Sequence, residues 1–411
     1  LTAGLPYVVW MAPTSWDGIP GTDRPLAMAL TRYARVLWVD PPVSPVTPAR
    51  LRGEVSGGLR PQLTETDERI TRLTPVALPG LTRPGVRTTT APLVRAQVRW
   101  ALRRRGIRPF AVVAGYLDDL LGRWDGAVNV VYSTDDHVAG AELMGLSADR
   151  IRAQERQASA RADVVVVVSP QLAEHWAALG SAPPVLIPNG SLPAYTNGVS
   201  PEPAVSDMPG PVVGLIGQLT QRVDLGLLAA VADAGYSLLL VGPYDARWER
   251  AGFAALTARP NVRYAGRVPA EAVPSYLASI DVGLIPYAAS AFNRASFPMK
   301  TLEYFSAGLP VVSTDLPGSR WVQDSLASFD AAYASQLMAL ASDPGEFVAA
   351  VQRLVGAPGQ ARPRGAADRE TRRSAVARAF AGQHSWPRRA DAFAEAIGLR
   401  ARQQSDPAEV G

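Results

Sequence analysis

The chain has 411 residues, 47% of them hydrophobic and 19% charged, with a net charge of +4 and no cysteine. That length exceeds one ordinary core and sets an expectation of two or three domains. The composition excludes disulfide scaffolds and thiolate metal sites, and a charge so mild for the length does not suggest a nucleic-acid partner.

No apolar run approaches the ~18 residues of a membrane span. The first residues, "LTAGLPYVVWMAPTSW", lack the basic region and long apolar stretch of a secretion signal, so the expected compartment is the cytoplasm. Its three histidines, His137, His175 and His384, are too scattered for a zinc site. The expected metal set is none.

In chain order, short apolar runs fall at 7–12, 35–40, 110–115, 129–134, 163–169 and 184–188. Helical patterns lie between several of them, at 25–34 and 148–162 for example. Buried strands alternating with helices predict an α/β domain with a parallel sheet over residues 1–195. A Pro-, Ser- and Gly-rich stretch reads as an interdomain linker over 196–210. The alternation then restarts at 212–217, 237–242, 262–266, 281–286 and 310–314, predicting a second Rossmann-like domain over 211–385. An amphipathic helix over 386–402 needs a surface to cover. Two such domains in series place a ligand in a cleft at the carboxyl ends of their strands.

Two segments of the first half carry candidate chemistry. "VVYSTDDHVAG" (130–140) ends a strand with Asp135, Asp136 and His137, groups able to accept a proton from a hydroxyl or to cap the next helix. The loop "PTSWDGIPGTDRP" (13–25) offers Asp17 and Arg24 as polar groups and Trp16 as a stacking surface. Between them, the helical pattern over 91–109 sets Arg95, Arg99 and Arg103 four residues apart. It reads as a solvated face or as a peripheral contact with the anionic inner face of a membrane.

In the second half, "ASFPMKTLEYFSAGLPVVST" (295–314) holds Lys300, the only lysine among 41 Lys and Arg residues. Ammonium and guanidinium are not interchangeable in a confined site, so this position is a candidate for a place where arginine does not fit. Pro298 and Gly308 bracket a short helix. Its amino end favours an anion, with Lys300 in the first turn and Glu303 three residues on. A cation beside a carboxylate suits a nucleotide, ammonium on phosphate and carboxylate on ribose. A plain surface ion pair is the other reading. "GLIG" is not the full G-x-G-x-x-G of a dinucleotide site.

"FPMKTLEYFSAGLPVVST" resembles the donor-binding segment of GT-B nucleotide-sugar glycosyltransferases, especially family 4 and related bacterial polysaccharide transferases. "PNG" (188–190), "VGLIGQL", "LLLVGPY" (239–244), "VRYAGRVPAEAVPSYLASIDVGLIPY" (262–287) and "HSWPRRADAF" (384–393) follow in the family's order, so the resemblance covers roughly residues 1 to 400. It implies the GT-B fold: two Rossmann-like domains facing across a cleft, with the last helix crossing back to the first domain. It places the donor on Gly217, Gln218, Arg222, Gly242, Arg267, Val268, Met299, Lys300 and Glu303. Of these, Glu303 would hold the ribose, the Arg267–Val268 loop would read the base, and Lys300 and Arg222 would meet the diphosphate. Asp135, with Asp136 and His137, would serve the acceptor hydroxyl, and Asp17 and Arg24 the acceptor itself. It implies a metal-independent sugar transfer from a nucleoside-diphosphate sugar, with no cofactor, to a saccharide, lipid-linked or natural-product acceptor.

Two departures from the family's pattern stand out. The usual arginine after the glycine is Gln218, with Asp224 further along the turn, and the usual glutamate eight residues before the ribose glutamate is Ala295. The second departure keeps open a non-catalytic accessory subunit that binds nucleotide beside a partner transferase. A nucleotide-sugar epimerase shares the fold but needs a cluster of acids and a histidine.

Overall fold

The computed structural model describes residues 4–18, 21–44, 60–80, 85–116, 120–141, 146–180, 182–191, 198–359 and 372–400. The first residues of the expected linker, residues 401–402 of the last helix and most of the Arg- and Gly-rich stretch after 359 lie outside them. The chain divides into two compact units, one of Leu1–Asn189 with Trp386–Gly411 and one of Gly190–Ser385.

The first unit is built on an eight-stranded sheet in the order β3-β4-β2-β1-β5-β6-β7-β8. Its centre is β1 (Tyr7–Met11), β2 (Arg35–Val39), β5 (Pro109–Ala114), β6 (Val128–Ser133) and β7 (Val164–Val167). These pair in parallel and are almost wholly buried, as strands covered on both faces must be. The edge is an antiparallel hairpin, β3 (Gln62–Asp67) and β4 (Ile70–Thr74), with β8 (Val185–Leu186) at the far side. Helix α1 (Asp23–Leu30) follows β1, α2 (Val86–Arg104) precedes β5, and α3 (Ala148–Ser159) and α4 (Pro170–Ala178) flank β7.

In the second unit six strands run all parallel in the order β11-β10-β9-β12-β13-β14. They are β9 (Val212–Ile216), β10 (Ser237–Val241), β11 (Val262–Gly266), β12 (Val282–Ile285), β13 (Val311–Thr314) and β14 (Met338–Ala341). Its core joins the strands to α5 (Leu225–Asp233), α6 (Arg250–Thr257) and a later helix carrying Phe347 and Val351. Numbered within the unit, the strand order is 3-2-1-4-5-6, and the chain reverses direction of winding between β9 and β12. Ligands of such sheets bind beyond the carboxyl ends of the strands at that reversal.

From residue 198 the stretch expected as a linker is part of the second unit. Glu202 accepts from Ser275 Oγ, and its backbone N–H donates to Ser279 Oγ at 2.8 Å. Asp207 pairs with Arg263. The final helix, which runs Trp386–Ala396, belongs to the first unit. Its Phe393 meets Trp10 with ring centroids 5.5 Å apart and Tyr132 at 6.0 Å, and Asp391 accepts from Arg32 and Tyr33.

Candidate donor site and its counterpart

In the second unit, three strand ends and one helix build the candidate site. Gly217 follows β9, and its N–H donates to Val241 O at 2.8 Å. Gly242 follows β10 at φ 133°, where a Cβ would lie 1.9 Å from Gly217 O, so no other residue lets these two loops approach so closely. Gly242 N–H in turn donates to Gly266 O at 2.7 Å, which brings the Arg267–Val268 turn alongside. Arg267 is exposed and has no side-chain partner among the described residues. The loops after β9 and β12 are tied where Val223 bridges Tyr287 and Asp224 N–H donates to Pro286 O at 2.8 Å.

Over these loops lies a short helix, Met299–Ser306, seated by Tyr304. The Tyr304 ring covers Gly283 of β12, where any Cβ would fall 2.3 Å from a ring carbon, and its hydroxyl accepts from Ile216 N–H at 3.0 Å. A buried phenol so placed fixes the helix to both strands at the reversal. Lys300 and Glu303 are then on the exposed side of the first turns, with Met299 half-buried beside them.

Lys300 Nζ donates to Glu303 Oε2 at 2.6 Å, with 29% and 25% of the two side chains exposed. Burial works to lower the pKa of the ammonium, but the facing Glu303 carboxylate outweighs it, and the net direction is up. Lysine's stem runs against Gly217, its Cε 3.2 Å from where a Cβ would stand. The structure therefore brings Gly217, Gly242, Lys300 and Glu303 together, with Met299 on the same helix.

Arg222 reaches the same loops from a different direction. Its Nε donates to Asn293 Oδ1 at 2.9 Å, and its guanidinium lies 5.1 Å from the Tyr287 ring centre and 4.9 Å from that of Phe292. Gln218 is exposed on the turn before it. Ala295, where the family pattern has glutamate, is buried. Sequence reasoning missed Asn293 and Tyr287 because neither stands in a recognisable spacing. Their roles come from the loop closure alone.

In the first unit, Asp135, Asp136 and His137 follow β6 directly and are half-buried. Asp136 Oδ1 accepts from Ala139 N–H at 2.8 Å and so caps the next turn. Asp135 accepts a long contact from Thr134 Oγ1, 3.5 Å, and its charge acts on Asp23. Asp17 is paired with Arg72 at 2.6 Å, and Arg24 donates to Trp16 O at 3.0 Å with its guanidinium over the Trp16 ring. Both candidates thus hold their own loop in place. Beneath them Asp40, missed in the sequence, accepts from Trp16 N–H, Trp38 Nε1, Arg72 Nε and Thr74 Oγ1.

The other missed group is Asp23, buried at the first turn of α1, where its position reads only as a helix-start carboxylate. Its Oδ1 accepts from Trp10 Nε1 at 3.1 Å, and burial pushes its pKa to about 7, helped by the charge of Asp135. Among the described residues no group of three or more His, Asp or Glu is placed to hold a metal ion, and no helix is long and apolar enough to cross a membrane.

Two Rossmann-like units on one chain, with a polar site beyond the carboxyl ends of the second sheet, define the GT-B architecture of glycosyltransferases. Solved structures of that architecture align over nearly the whole chain. Sucrose-phosphate synthase from Thermosynechococcus elongatus is 18% identical, with 97% of this chain and 98% of that one covered at a TM-score of 0.64. HepE of Anabaena, solved in complex with UDP-glucose, is 13% identical, with 95% and 99% covered and a TM-score of 0.63. At these identities the likeness shows the fold.

Residues 210–356 match the family model described as Glycosyl transferases group 1, and the chain resembles that family in the segments quoted above. A Bacillus subtilis (strain 168) protein named as teichuronic acid biosynthesis glycosyltransferase TuaH is 34% identical over 152 residues. The chain spans 36% of the length of that curated relative.

Proposed function

We propose that the chain is a metal-independent glycosyltransferase that moves a sugar from a nucleoside-diphosphate sugar to a hydroxyl of a saccharide, lipid-linked or natural-product acceptor. The observation that carries this reading is the Lys300–Glu303 pair, held by Tyr304 at the winding reversal of an all-parallel sheet. Glu303 presents a carboxylate to the two ribose hydroxyls, and the Arg267–Val268 turn offers backbone edges to the base. Lys300 has three donors, so it can keep Glu303 and still reach a phosphate. With Arg222 and the positive end of the helix dipole, it neutralises the diphosphate as the bond to the sugar breaks.

The first unit supplies the acceptor side. Asp135 is the candidate proton acceptor, and Asp136 caps the next turn. Asp136 and His137 flank it, and the Asp17 and Arg24 loop shapes the acceptor surface. The donor is a substrate, and no further cofactor enters. The proposed compartment is the cytoplasm, with α2 in contact with an anionic membrane face.

Thermal-shift titration against a panel of nucleoside diphosphates and nucleotide sugars tests the donor site. A ligand at about 100 times its Kd adds ~2.7 kcal/mol of stability. Stabilisation of the wild type that is lost in Lys300→Ala and Glu303→Ala is the expected result, and a flat panel for the wild type overturns it. The buried Ala295 favours a second reading, a nucleotide-binding accessory subunit. Asp135→Asn separates the two: a transferase loses at least ~100-fold in transfer with nucleotide binding retained. A nucleotide-binding wild type that transfers no sugar to any acceptor is the accessory subunit.

A further inference from the structure

Asn293 is 1% exposed, on the five-residue helix Ala291–Ala295, and every polar atom of its side chain is used. Its Nδ2 donates to Ala288 O at 2.8 Å and to Arg222 O at 2.9 Å, and its Oδ1 accepts from Arg222 Nε. A buried amide so fully engaged has one orientation. It therefore fixes Arg222 at two points, the backbone carbonyl and the guanidinium. The Tyr287 and Phe292 rings lie against the guanidinium, which limits its swing about the Cδ–Nε bond.

With Nε taken, the edge that Arg222 can present is the pair Nη1 and Nη2, which have no partner among the described residues. That edge is a two-pronged donor suited to phosphate oxygens. Tyr287, whose ring lies beside the Arg222 guanidinium, also acts electrostatically on Lys300.

We propose that Asn293, with Tyr287 and Phe292, is a positioning device that presents the Nη edge of Arg222 to the diphosphate of the donor. It rests on the donor-site reading above and deepens it. In this chain Gln218 stands where the family's arginine would reach the phosphates directly, and a fixed Arg222 takes over that charge. An arginine left free on a loop loses rotamer entropy on binding, whereas one already clamped does not.

Titration calorimetry of the full chain with UDP, GDP and ADP, and with uridine, guanosine and adenosine, tests it on Arg222→Ala, Asn293→Ala and the double variant. Asn293→Ala should weaken the diphosphate that binds wild type by about tenfold and leave its nucleoside within about twofold. The double variant should bind that diphosphate no more weakly than Arg222→Ala, because both changes remove one interaction. Asn293→Asp keeps the volume and the acceptor for Nε while neutralising the guanidinium. If it is folded by its melting curve, it should lose as much diphosphate affinity as Arg222→Ala. Unchanged diphosphate binding in Asn293→Ala, or losses that multiply in the double variant, would show that Asn293 only joins the loops. An Arg222→Ala protein that binds diphosphate normally removes the device and leaves the donor reading on Lys300 and Glu303. A wild type that binds no diphosphate removes both.

Discussion

Asp23 is a carboxyl group under the carboxyl ends of β1 and β5, held by one indole N–H and pressed so close to Gly115 that a Cβ there would lie 2.4 Å from Oδ1. Its pKa of about 7, against 3.8 for the free side chain, follows first from burial, partly offset by the Trp10 hydrogen bond, with the Asp135 charge adding to the rise. Tyr132 is buried nearby, its own pKa raised by burial and by Asp23, and Arg389, lowered to about 10 by burial, faces Tyr132 from the last helix. Between pH 3.8 and about 7 the folded state holds a proton that the unfolded state releases. Stability of the first unit therefore falls as pH rises through that window and levels off above it. Asn at this position keeps an acceptor for Trp10 and cannot ionise. Urea unfolding of the wild type and Asp23→Asn from pH 4 to pH 8 should show, below pH 6.5, a downward slope in the wild type that the variant lacks. His175, whose hydrogen bond to the buried Glu155 raises its pKa, adds a loss with the same sign only above 6.5, so the two contributions separate by window. A wild type whose stability is flat from pH 4 to pH 6 would mean that Asp23 is ionised throughout.

At the scale of elements, α2 shows how a sequence pattern divides into a buried and an unpartnered face. Val94, Val98, Ala101 and Leu102 are buried, while Leu93 and Trp100 are 36% and 39% exposed beside Arg99, Arg103 and Arg104. Its 19 residues contain no acid. Exposed apolar side chains flanked by arginine match an anionic lipid surface, at about 1 kcal/mol per cation. Co-sedimentation should show binding to phosphatidylglycerol-containing vesicles and not to pure phosphatidylcholine. Replacing Arg99, Arg103 and Arg104 with Gln should cost about 100-fold, and equal binding to both vesicles would assign the face to solvent. Both sheets' central strands were legible in the sequence because a strand covered on two faces is a continuous apolar run. The β3–β4 hairpin was not, since β3 is mostly exposed and reads "QLTETD", with no apolar stripe to detect. Nor was β14, whose "MALA" follows a helix without a breaking residue. In the site, Lys300 and Glu303 announced themselves by composition and spacing. Asn293, Asp40 and Asp23 did not, because each acts through partners 71, 34 and 13 residues away that only folding brings near.

For the whole molecule, the two units depend differently on the end of the chain. The second unit is one continuous segment with its own core, from Val213 through Val355. The first is completed by a helix that arrives after the entire second unit, and it buries Trp386, Ala390, Phe393 and Ala394 there. Removing a buried Phe alone costs about 3–5 kcal/mol, and this helix also takes away Trp386 and the partners of Arg32 and Tyr33. A domain of ordinary stability holds only ~5–15 kcal/mol in all. Truncation after Ser385 should therefore unfold the first unit, or lower its melting transition steeply, while the second keeps its own. On the reading proposed here, the truncated protein still binds nucleoside diphosphate through Lys300, Glu303 and Arg222 but transfers no sugar. Calorimetry of the truncated and full chains, each with and without the bound nucleotide, checks this directly. One surviving transition that the nucleotide raises is the expected result. Two intact transitions would mean that the helix covers the first unit without being needed for its fold.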